Sequence, residues 1–175
     1  RQAIEWVQNN GYSFEKTAFS PFFGTVQYFG TKFKAAELIT GWSFRSLNRA
    51  IFPDRGSRYS LSLSSTVPGS DVEYWVARSE ASRYVPLWKR FSLLFNLEVA
   101  YGDALADTTA LPPYKQFFAG GPDSIRGFRE SRLGPKDQNG HPYGGNLLVV
   151  GRSELIFPLP EKWATTARAS LFYDI

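Results

Sequence analysis

The chain has 175 residues, 43% hydrophobic and 17% aromatic, too apolar for a disordered segment and of a size usual for one domain. Its 20 basic and 16 acidic residues leave a net charge of +4, scattered without a Lys/Arg run, so the excess reads as solvated surface and no nucleic acid is expected as a partner. No stretch of about 18 apolar residues occurs, which excludes a transmembrane helix but not a transmembrane barrel, whose alternating strands of roughly 10 residues escape a hydropathy scan.

The chain starts at Arg1 without a methionine and stops at Ile175 inside a strand-like run, and we expect it to be a piece of a longer protein. Over residues 1–10, Ile4 and Val7 share a helical face and Gly11 follows as a stop, which predicts a short helix. Residues 22–34 carry aromatics and glycines on both parities and are compatible with a strand pair or a packed loop; the role of 17–34 stays open. Clear strand signals begin at 38–46, and Phe52, Pro53, Asp54, Arg55 and Gly56 form a turn in which proline pre-sets φ and glycine supplies the left-handed position. Tyr59, Leu61, Leu63 and Val67 then alternate with Ser60, Ser62, Ser64 and Thr66. A Pro-Gly-Ser-Asp turn at 68–71 leads into a strand over 73–85. In the next strand Phe91, Leu93, Phe95, Leu97, Val99 and Tyr101 occupy one face, and Ser92, Asn96, Glu98 and Gly102 the other.

A long connection covers 103–145 and contains the segment YKQFFAGGPDSIRGFRESRLGP at 114–135. Gly120, Gly121 and Gly127 allow a positive φ or a close approach, while Phe117, Phe118, Ile125 and Phe128 are too apolar for a solvated tip. The loop is expected to fold inward, carrying Arg126. Two strands follow, at 146–157 and 164–175, joined by a short proline turn. Short turns alternating with longer loops match outer-membrane barrels, and Trp42, Trp75, Tyr84, Trp88, Tyr101 and Trp163 near strand ends would suit interfacial girdles. Cross-strand aromatic pairing in a soluble sheet is the alternative.

Strand parity then orders the charges. With Ala167, Ala169, Leu171, Tyr173 and Ile175 on one face, Arg168, Ser170 and Asp174 fall on the other; with Leu147, Val149, Leu155 and Phe157 outward, Arg152 and Glu154 point inward, as does Glu98. A guanidinium entering such an interior needs carboxylates, because an unpaired desolvated charge is costly whereas a planar fork on one or two carboxylates is satisfied. We therefore expect Arg126 to pair with Glu154 and Asp174. The plainer alternative is that these charges line a wet lumen.

Chemistry of other kinds finds little support. Cysteine is absent, so neither disulfides nor a thiolate metal site can form. There is no Gly-x-Ser-x-Gly elbow, and His141 sits in a Gly/Pro-rich loop without a nearby nucleophile. An arginine beside Glu154 and Asp174 would keep them ionised and disfavour acid catalysis. We expect no enzyme activity, no metal and no cofactor.

The stretch FFAGGPDSIRGF, the following LGP, the Gly-Gly-Asn strand ending in SELIFPLP and the final ASLFYD, together with FPDRGSRYSLSLSSTVPGSDVEYW, resemble the BamA family of outer-membrane barrel insertases over about residues 41–175. The resemblance implies an all-β, antiparallel up-and-down transmembrane β-barrel, present here as an incomplete part of about six to seven strands with a long inward-folding extracellular loop. Residues 1–37 would then be an extracellular loop with a short helix and ambiguous strands, 38–102 four strands, 103–145 the long loop with its Arg-Gly-Phe motif, and 146–175 two strands; no periplasmic POTRA domain lies within the chain. It further implies folding and insertion of β-barrel clients at the bacterial outer membrane, with outer-membrane lipid, unfolded clients and accessory lipoproteins of the assembly complex as partners. Arg126, Gly127, Phe128, Glu154 and Asp174 would form a structural latch, with Gly120 and Gly121 as its turn. A polypeptide-secreting transporter of the same superfamily, or a passive diffusion pore, is the alternative function.

Overall fold

The computed structural model describes residues 5–19, 26–136, 138–160, 163 and 166–175. Seven strands form one antiparallel sheet in strict sequence order: β1 (Glu5–Phe19), β2 (Val26–Arg45), β3 (Gly56–Thr66), β4 (Tyr74–Pro86), β5 (Ser92–Ala104), β6 (Leu147–Phe157) and β7 (Ala169–Asp174). Each strand pairs with the next in sequence, as alternating patterns with short turns favour, except that β5 and β6 are joined by a long loop over 105–146. Among the described residues no helix is long and apolar enough to cross a membrane, which says nothing about crossing by strands.

The short helix expected over 1–10 does not form where the chain is described. From Glu5 onward the segment is strand, pairing Glu5 with Ile39 and Phe19 with Val26, with a register shift between Asn9 and Tyr12 beside Gly11. Physically, an isolated ten-residue helix is marginal in water, whereas a long partner strand supplies a hydrogen bond at nearly every position. The ambiguous stretch after it belongs to β2, and residues 20–25 lie outside the described part. The last strand also starts later than expected, at Ala169. Backbone N–H groups of Thr166 and Ala167 both donate to the Trp163 carbonyl, which holds the chain in a turn just before the strand.

Period-two alternation divides the sheet into two unlike faces. Trp42, Phe44, Tyr59, Leu61, Leu63, Phe95, Leu97, Leu147, Val149 and Leu171 share the outward face and are all exposed. Aromatic stacking runs across part of it, from Trp42 to Phe44 and on to Tyr59, and Trp75 meets Tyr101 edge-on. Tyr84 departs from the expected girdle: it shares its parity with Ser82, faces inward, and packs its ring against the Arg168 guanidinium.

The buried core lies on the opposite face, between the sheet and the long β5–β6 loop. Tyr74 and Ala100 from the strands meet Leu111 and Phe117 from the loop, with Val76 and Leu148 packed alongside. Gly102 makes this docking possible, since a Cβ there would come within 3.2 Å of the Leu111 side chain and 3.0 Å of Val76. The loop has its own scaffold as well: Phe117 and Gly145 exchange two backbone hydrogen bonds of 2.9 and 3.0 Å, and Ala119 and Leu133 are bridged in the same way.

Candidate functional site

The tip of the loop is bent by a sequence of tight turns. Gly120 has φ of 103°, and a Cβ at that position would lie 2.5 Å from the Arg129 carbonyl oxygen, so only glycine fits. Gly121 then closes a small turn by accepting from the Ser124 amide and donating to the Ile125 carbonyl. We predict that Gly120→Ala costs about 1–3 kcal/mol through combined strain and clash; urea midpoints of the full-length protein in detergent would measure it.

These turns carry Arg126 onto β6 and β7. Its Nε donates to Asp174 Oδ2 at 2.7 Å and its Nη2 to Asp174 Oδ1 at 2.6 Å, a two-pronged fork on one carboxylate. Its Nη1 donates to Glu154 Oε1 at 2.6 Å, and its backbone amide donates to Asp174 Oδ2 at 3.0 Å. The Asp174 side chain is only 3% exposed, against 17% for Glu154 and 23% for Arg126, so the fork works largely out of water. Hydrogen bonding from Asp174, opposed by burial and reinforced by Glu154, holds the guanidinium pKa still further above its ordinary value. The structure thus brings Arg126, Glu154 and Asp174 together. Gly127 follows with φ of 85°, while Phe128 is 56% exposed and takes no part in these contacts. Glu98 faces the same interior but pairs with Arg78, at 3.7 Å, rather than with the loop arginine.

Four further side chains contribute: Arg152 and Arg168, whose inward parity is legible in the sequence without a partner, and Phe172 and Lys115, which it does not single out. The Phe172 ring lies under the Arg126 guanidinium, 3.8 Å from carbon to centroid, and completes its seat with a cation–π contact; it has the inward parity of Asp174, which was the available signal. Arg168 Nη2 stands 3.7 Å from the second Glu154 oxygen, so Glu154 lies between two arginines. Arg152 donates from Nη1 to the Asp123 carbonyl in the loop at 2.7 Å, and from Nη2 to Asn96 at 3.0 Å, which ties the turn before Arg126 to the wall. At the root of the loop, Lys115 Nζ bonds both carboxylate oxygens of Glu37 on β2, at 2.9 and 3.0 Å, and sits over the Tyr74 ring. Replacing Lys115 by methionine should cost about 1.5–3 kcal/mol by stranding Glu37 in a half-buried position. A faster proteolytic cut in 105–116 would report the loosened root.

A chemical inventory of this site reads as structural. Arg126 is fully engaged by Asp174 and Glu154, whereas Arg168 Nε and Nη2 are buried without a hydrogen-bond partner; among the described residues no group of His, Asp and Glu is arranged to hold a metal ion.

The model of the Omp85 superfamily domain matches residues 3–175. The chain is 35% identical over 139 residues to the outer membrane protein assembly factor BamA of Neisseria meningitidis serogroup B, covering 77% of this chain and 17% of that protein. It is 28% identical over 130 residues to the SAM50-like protein CG7639 of Drosophila melanogaster, covering 71% of this chain and 29% of that one. Its fold is similar to the crystal structure of BamA from Haemophilus ducreyi lacking POTRA domains 1-3, with a TM-score of 0.78 and 30% identity over 94% of this chain and 34% of that one. The chain therefore spans about a sixth to a third of the length of these relatives.

Proposed function

The chain belongs to the Omp85 superfamily, and from that premise we propose that it is a section of barrel wall in a bacterial outer-membrane assembly factor, one that folds and inserts β-barrel clients. In this reading the apolar face meets lipid, the β5–β6 loop enters from the extracellular side and lines the lumen, and the short turns at 46–55, 87–91 and 158–168 face the periplasm. Client barrels, accessory lipoproteins and outer-membrane lipid are the partners it would meet there. The face pattern supports the setting, because exposed leucines, valines and aromatics on one side of a sheet are stable in hydrocarbon and aggregation-prone in water.

The observation that carries the mechanism is the fork of Arg126 on Asp174 with its third bond to Glu154. Acting as a latch, it couples a loop tip to two adjacent strands, most strongly through Asp174, to which Arg126 donates three hydrogen bonds. Binding of clients then takes place on a barrel whose interior plug is held in one position, rather than on an ensemble of loop states.

Arg126→Lys tests this role, since it keeps the charge but loses the planar fork. In full-length protein reconstituted with its complex, client insertion is expected to slow several-fold, with the loop more sensitive to protease. Insertion at the unaltered rate with an equally protected loop would sink the latch.

A further inference from the structure

The outward face carries a feature that the latch does not explain. Along the outward positions of β3 to β7 the charged residues are Arg83 and Asp103, at opposite ends of the hairpin formed by β4 and β5. Asp103 is engaged by the Tyr101 hydroxyl and the Ala104 amide. Arg83 is exposed and has no acidic partner among the described residues. It lies three residues before the end of β4, about 10 Å of strand from the turn that presents exposed Leu87 and Trp88.

Beside it the surface is hollow. Ala81 and Gly151 flank Leu97 in one row across β4, β5 and β6, so two small positions leave a trough walled by Tyr59 and Phe95 and, beside Gly151, by Ile175, whose Cγ2 lies 3.1 Å from where a Gly151 Cβ would stand. The trough has a volume of about 470 Å³ and is lined mainly by apolar groups, with Arg83 among its lining residues. That size falls in the range of roughly 300–1,000 Å³ usual for small-molecule sites.

We propose that this trough binds one glycerophospholipid of the periplasmic leaflet, with an acyl chain over Ala81 and Gly151 and the phosphate on Arg83. The site deepens the membrane reading given above and rests on it. A guanidinium facing hydrocarbon is unfavourable near the bilayer centre and much less so near the interface, where its stem lies along apolar surface and its head reaches the phosphates. A planar fork matches a phosphate in two bonds. The small residues supply what the charge alone does not, a slot in which a chain is held rather than exchanged with its neighbours. The position of Arg83, on the end bearing the short 87–91 turn, selects the periplasmic leaflet.

The test uses full-length protein, stripped of lipid in mild detergent and titrated with phosphatidylglycerol, bound lipid being counted by native mass spectrometry. One tightly retained phosphatidylglycerol is expected, with retention at least tenfold weaker in Arg83→Gln and similarly weaker in Ala81→Leu, which fills the slot. A heat-modifiable band shift establishes that each variant is folded. Diacylglycerol, which has the chains without the phosphate, should not be retained. Equal retention by the parent and the folded variants, or equal retention of diacylglycerol, would overturn the site while leaving the membrane reading intact. A full-length protein that never enters bilayers would overturn that reading itself.

Discussion

Arg126→Ala is expected to destabilise the folded barrel by about 3–5 kcal/mol, the usual consequence of removing one partner from a buried ion pair. The reasoning starts from Asp174, whose side chain is 3% exposed and receives three hydrogen bonds, all from Arg126. Alanine keeps the backbone amide bond but removes the fork, leaving a carboxylate with little access to water. Glu154 fares better, because Arg168 Nη2 stands 3.7 Å away and can take over part of its charge. Phe172 also loses the cation that covers its ring. The measurement is a urea midpoint for full-length protein, followed by heat-modifiability. A double substitution, Arg126→Ala with Asp174→Asn, should recover part of the loss, since the stranded charge is then gone. A loss that persists undiminished in the double variant would place the cost in packing instead.

Leu61→Lys is expected to cost about 2–4 kcal/mol, the penalty for a cation near the bilayer midplane on the lipid face of a barrel. Leu61 sits at the middle of β3, outward, 51% exposed, between Trp42 on β2 and Ser79 on β4. In a water-facing sheet the same substitution would be close to neutral, because an exposed leucine contributes little there. Folding the full-length protein into vesicles and comparing urea midpoints therefore separates the two environments. Ser60→Lys, one position away on the inward face, is the control and should cost less.

What parity could reach, and what it could not, follows from the physics of strands. Glu154 and Asp174 were readable because their strands have one strongly apolar face, which leaves a single inward register. Applied to all residues, the same rule places Phe172 on the face of Asp174 and turns Tyr84 inward; grouping aromatics by closeness to strand ends concealed Tyr84. The first ten residues misled because Ile4 and Val7 are too few to separate a helical spacing from chance, and the decisive factor was a partner strand some 30 residues away. Lys115 and Glu37 lie 78 residues apart, and no local pattern links them. Arg126 was found for the opposite reason: a lone arginine among glycine turns and phenylalanines needs an anionic seat, and few inward carboxylates were available to provide it.

The loop's ion-paired root and tip lie far apart on the sheet, with Leu111, Phe117 and Asp123 also held to the wall. Its root is held to β2 through Glu37, and its tip to β6 and β7 through Glu154 and Asp174. A tie fastened at both ends of an arc sets the curvature of that arc. Pulling β2 away from β7 must stretch the segment between Lys115 and Arg126, and flattening the sheet must break ion pairs at one end. On the proposed reading the inner loop is a tension member of the wall, one that resists opening between β2 and β7.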